Sequence, residues 1–193
     1  MRHNARHGCL FASLAGIALL FAGCSPWATY PPVEVKPAQA MTSETFEPLP
    51  TVMALAIDYA RAEYVPGKNY PVNLPAGSGW QSYEKVFEKT QGDDTPMKTV
   101  GEPALHITQV RTRAFDAEVD LVYPRGDGLN QLVTISLNRE VFKDWRVMSA
   151  RLWQIRSIEI PDPTYTPPSA EELAKKKRES GPGGEIPATQ PAK

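Results

Sequence analysis

Residues 115–123 read FDAEVDLVY, and their alternation decides the fold class. Phe115, Ala117, Val119, Leu121 and Tyr123 make one set, and Asp116, Glu118, Asp120 and Val122 make the other. A period of two marks a strand with one face buried and one face in water. The turn cluster Pro124-Arg-Gly-Asp-Gly128 follows, and LVTISL at 132–137 reads as the next strand. After a reversal over 140–144, Trp145, Val147, Ser149, Arg151, Trp153 and Ile155 are expected to share one face of a last strand. Upstream, Leu105, Ile107 and Val110 mark a strand that precedes the quoted one.

The period changes before residue 103. Val52, Leu55, Ala56, Tyr59 and Ala60 recur at helical spacing, so residues 51–64 are predicted as a helix, with Pro50 at its start and Pro66-Gly67 after it. A second short helix is predicted over 81–89, with Tyr83, Val86 and Phe87 inward. A helix followed by a strand meander is an α+β pattern. The expected architecture is an N-terminal helix packed on a curved antiparallel sheet of three to four strands.

Prolines bound this domain. Six of the 19 fall between Ser25 and Pro50, seven between Pro161 and Lys193, and six in the 110 residues between. Proline lacks the backbone donor that helix and sheet require. Residues 24–50 therefore read as a Pro-rich tether, 51–160 as the folded domain and 161–193 as a disordered tail. Within the tail, Ser169-Ala-Glu-Glu172 is a capping box for one short helix, and the run Lys175 to Arg178 reads as its solvated end.

The stretch from about Leu49 to Arg156 resembles the NTF2-like or cystatin-like α+β roll. The opening helix, Ala117-Glu-Val-Asp-Leu-Val-Tyr, Gln131-Leu-Val-Thr-Ile-Ser-Leu and Asp144-Trp-Arg-Val-Met-Ser carry the likeness. Rolls of this kind often use their concave face as a pocket. The resemblance makes Trp80, Tyr83, Phe115, Tyr123, Trp145 and Trp153 candidate pocket-lining residues, suited to a small apolar ligand.

The N-terminus gives a separate signal. Arg2, His3, Arg6 and His7 precede an uncharged apolar run of 14 residues, Leu10 to Gly23. A membrane-spanning helix needs about 20 such residues, so residues 1–23 read as a signal peptide. Phe21-Ala22-Gly23-Cys24 resembles the lipobox of bacterial lipoproteins. The resemblance implies cleavage before Cys24, acylation of Cys24, and, with Ser25 following, sorting to the outer membrane facing the periplasm. Two or more acyl chains anchor stably where one is marginal. The mature chain would then start at Cys24 and lose Arg2 and Arg6, leaving 19 basic residues against 22 acids and a net charge of −3.

The chemistry is sparse. The full chain has a formal net charge of −1 and two cysteines, which excludes a strongly basic nucleic-acid binder and a disulfide scaffold. His106 is the one histidine after Cys24, and no ligand or triad spacing surrounds it. Asp116, Glu118 and Asp120 lie about 6–7 Å apart on one strand face, unlike ligands wrapped round an ion. Gly77-Ser-Gly79 and Arg125-Gly-Asp-Gly128 are turns, not phosphate loops. No catalytic, cofactor-binding or metal-binding residue is assigned. The expected function is a non-enzymatic binding or assembly domain, held to the membrane through lipidated Cys24 and facing a protein partner in the envelope. Two alternatives stand. One is an NTF2-like enzyme acting on a small apolar substrate. The other is a subunit docking on an envelope or secretion complex through a sheet edge, whose sign would be a long exposed edge strand.

Overall fold

The computed structural model describes residues 27–31, 45–155 and 158–179. The expected signal peptide, residues 1–23, and Cys24 lie outside the described residues. The chain is α+β. Its elements, in order, are β1 (Ala28–Tyr30), α1 (Leu49–Tyr64), β2 (Val72–Asn73), α2 (Trp80–Phe87), β3 (Leu105–Arg113), β4 (Asp116–Pro124), β5 (Asn130–Asn138), β6 (Arg146–Leu152) and α3 (Ala170–Glu179). The sheet runs β1-β3-β4-β5-β6, with β2 also on β3. Every pairing is antiparallel except β2 with β3.

Six strands replace the three to four expected. β1 and β2 hold three and two residues, too few for alternation to register, and both lie on the outer side of β3. The central meander follows the sequence pattern closely. Ala117, Val119, Leu121 and Tyr123 of β4 and Val133, Ile135 and Leu137 of β5 are buried on one face. The register carries Asp116, Glu118 and Asp120 to the other face, opposite Asn138, Ser136 and Thr134. Phe115 is corrected out of the strand. It sits in the β3–β4 turn behind Ala114, whose φ is 49°, and is largely exposed.

Two bulges set the strand faces. In β3 the partners jump from Ile107 to Gln109, so Thr108 is an extra residue and the inward set reads Leu105, Ile107, Val110. In β6 the partners jump from Val147 to Ser149, so Met148 is extra. The single-face reading of Trp145 through Ile155 is therefore corrected. Val147 and then Ala150 pack on the core, while Ser149 and Arg151 turn away, and the strand ends at Leu152.

α1 starts at Leu49 and lies on the apolar face of the sheet, against β3, β4 and β6. Its buried stripe is rotated from the expected one. Val52, Met53, Ala56, Ile57 and Ala60 are fully buried, whereas Leu55 and Tyr59 are only partly covered. Each large apolar side chain buried this way contributes about 1.5–3 kcal/mol. α2 packs on α1 with Tyr83 and Val86 inward. Helix side chains thus fill the face that a ligand would need.

The flanks are more ordered than the prolines suggest. Part of the expected tether, residues 28–30, adds β1 to the sheet. The segment 158–179, which includes residues 161–179 of the expected disordered tail, is docked. Gln131 donates to the Trp153 carbonyl, Asn130 to that of Ile158 at 2.8 Å, and Asn73 to those of Pro161 and Asp162 at 3.3 and 3.1 Å. The chain leaving β6 thus crosses one end of the sheet to reach β2. α3 follows with the expected capping box, Glu172 N–H donating to Ser169 Oγ and Ser169 N–H to Glu172.

Candidate functional site

The six candidate aromatics do not line one cavity. Trp80 and Tyr83 border a cleft of about 250 Å³ between α2 and the docked tail, with Phe87, Tyr165 and Leu173. Tyr123 is buried and stacks on Tyr64, centroids 4.7 Å apart. Phe115 and Trp145 flank the Arg139 guanidinium at 5.7 and 5.3 Å, at the end of the sheet that holds the β3–β4 and β5–β6 turns. Trp153 lies past β6, donates to Thr134 Oγ1 at 2.8 Å, and carries Arg151 at 4.2 Å over its ring. The core face that would have gathered them is occupied by α1.

Two buried polar groups lie at the end of the sheet that the tail crosses. Asn73 is fully buried, and its Oδ1 accepts from Tyr83 Oη at 3.2 Å and from the Thr164 amide at 3.0 Å. Burial raises the Tyr83 phenol above its usual pKa. His106, opposite Val122, is almost fully buried at the same end of the sheet. Its ring bonds the Asn73 backbone, and Nδ1 has no partner. Burial lowers its pKa to about 4, so it is neutral at pH 7. Among the described residues, no group of three His, Cys, Asp or Glu converges to hold a metal ion.

The sheet face turned away from α1 carries a polar network. Arg111 pairs in bidentate fashion with Asp120, at 2.6 and 3.0 Å, and with Glu118 at 2.9 Å. Hydrogen bonding and charge from Asp120 raise the Arg111 pKa despite partial burial. Thr134 Oγ1 donates to Asp120 at 2.5 Å. These carboxylates are spent on arginine and hydroxyl partners, an arrangement that positions strands but offers no poised acid or base.

The two sheet edges differ. The outer side of β3 is covered by β1 and β2. β6 is the terminal strand on the other side, and among the described residues no strand pairs with its outer edge. The Trp153 amide donates inward to the Leu132 carbonyl at 3.0 Å. Antiparallel bonding alternates, so Arg151 and Ser149 also turn inward, while Ala150 and Leu152 present backbone N–H and C=O to the open edge. Met148 and Leu152 are exposed beside that edge, and Trp153 and Ile155 just beyond it. The strand carries Arg146 and Arg151 and no acid. An unpaired edge of this kind is a template for another strand. The signal missed in the sequence was strand order: alternation identifies a strand but not whether it is central or terminal.

No known family model matches the chain, and no solved structure matches it.

Proposed function

We propose that this chain is a bacterial lipoprotein, anchored through Cys24 to the outer membrane and facing the periplasm. Its domain acts there as a non-enzymatic binding module for an envelope partner. The observation that carries the binding part is the open outer edge of β6, seven residues long, on a sheet whose opposite side ends in the two- and three-residue strands β2 and β1. An extended partner segment adding to β6 gains main-chain hydrogen bonds from Ala150 and Leu152, and selectivity from side chains that meet Met148, Arg146 and Arg151. A segment of apolar and acidic residues fits that edge. The helix laid across a strand meander supports the likeness to the NTF2-like or cystatin-like roll. The filled apolar face favours the binding reading over an enzyme acting on a small apolar substrate.

The anchor is tested by Cys24→Ala. The variant is expected to leave the membrane fraction and to lose acyl labelling. Unchanged fractionation with unchanged labelling contradicts the anchor.

A further inference from the structure

We propose that the end of the sheet holding the β3–β4 and β5–β6 turns is a membrane-contact surface that inserts side chains into the leaflet carrying the anchor. The inference rests on acylation of Cys24 and adds a second, non-covalent contact to it.

The chain's entry point places this end near the lipid. β1 pairs with the last residues of β3, Ala28 opposite Thr112, so the chain arrives beside the β3–β4 turn. Trp27 lies under the Arg113 guanidinium at 5.2 Å. Trp27 is three residue steps from Cys24, a span of at most about 11 Å when fully extended. Acyl chains on Cys24 thus hold this turn at the interface, and keep the Arg125–Gly128 turn at the far end of the same strands away from it.

The side chains at this end suit that position. Phe142, in the β5–β6 turn, is fully exposed with φ 63°, and Val141 beside it is exposed as well. A phenylalanine held in a left-handed conformation with its ring in water is unfavourable in both respects. Phe115 is 43% exposed in the adjacent turn, and Phe46 is 68% exposed just before α1. Single exposed apolar residues need no explanation, but several gathered at one end mark a contact surface. Among the charges described there, Lys143 and Arg146 pair with Glu140, Arg113 with Asp116, and Lys89 with Glu47; Lys85 also acts on Glu47, Asp144 adds an acid and Arg139 stacks on aromatic rings. Opposite charges nearly cancel, so apolar insertion rather than attraction to anionic lipid drives the contact. Arginine and lysine around aromatic rings are suited to the headgroup layer.

The test places an environment-sensitive dye on Phe142→Cys in the acylated mature protein, which starts at Cys24, reconstituted into vesicles of neutral lipid. Leu129→Cys in the far turn is the control. A blue-shifted emission from position 142 that brominated lipid largely quenches, with position 129 unaffected, is the expected result. Water-like emission from position 142 in protein that remains in the vesicles overturns the contact and leaves the anchor intact. A shift seen in native membranes but absent in pure lipid assigns the surface to a protein and also overturns the proposal. Dye uptake by the unsubstituted protein reports a free thiol, at Cys24 or at a retained Cys9, and overturns the anchor instead.

Discussion

At the scale of single residues, Asn73 and His106 control the end of the sheet that the tail crosses. Asn73 bonds Tyr83, Thr164, Pro161 and Asp162 from a fully buried position. Asn73→Ala leaves buried donors and acceptors without partners, each costing about 1–3 kcal/mol. A lower urea midpoint is expected, together with faster proteolysis within residues 158–169; a variant that resists both as the parent does contradicts the role. His106 has a folded pKa of about 4 against an ordinary 6.5. Below pH 6.5 the unfolded chain takes up a proton that the folded chain refuses, so stability falls with pH and the loss is complete near pH 4. Its ceiling is roughly 3 kcal/mol. Urea midpoints at pH 7 and 4.5 check this: His106→Gln should lose less stability over that interval than the parent, and parallel losses would contradict it. Neither role was legible beforehand. An asparagine among prolines and glycines reads as part of a loop, and a lone histidine at a strand edge reads as a surface or hydrogen-bonded one, with nothing to say that it is buried.

At the scale of elements, legibility followed the length of the pattern. The nine residues of β4 alternate so regularly that their faces, and the turn after them, could be read directly. In β3 the inward set Leu105, Ile107 and Val110 could be read, but the bulge behind the skip from Ile107 to Val110 was not legible. Nor was that in β6, because Val147 on one set and Met148, Ala150 and Leu152 on the other make either face plausible. α1 was placed, but its stripe was turned, since Met53 and Ile57 fit a helical period as well as Leu55 and Tyr59 do. The aromatics misled for a related reason. Periodicity assigns faces within one element and says nothing of whether faces from different elements meet. The structure sends Trp80, Tyr123, Trp145 and Trp153 to separate places. The tail docks because its carbonyls find Asn73 and Asn130, partners that no local pattern announces.

At the scale of the whole molecule, the long β6 edge against the short strands on the other side of the sheet, and the near and far ends of its strands, give the domain two directions. In the proposed account the turn end faces the lipid and β6 runs along the side, open to a partner strand. Because the Leu152 amide faces outward, proline there removes an edge donor without breaking the inner β5–β6 ladder. Leu152→Pro should therefore fold with a melting temperature close to that of Leu152→Thr. The most direct measurement is photo-crosslinking in living cells from a photoactivatable residue at Met148, in the parent, Leu152→Thr and Leu152→Pro backgrounds, with Gly101 as the control position. The expected result is a discrete protein adduct from Met148 that Leu152→Thr retains, Leu152→Pro abolishes and Gly101 never gives. An adduct that survives the proline, or no adduct at β6 in the anchored protein, would contradict docking through this edge.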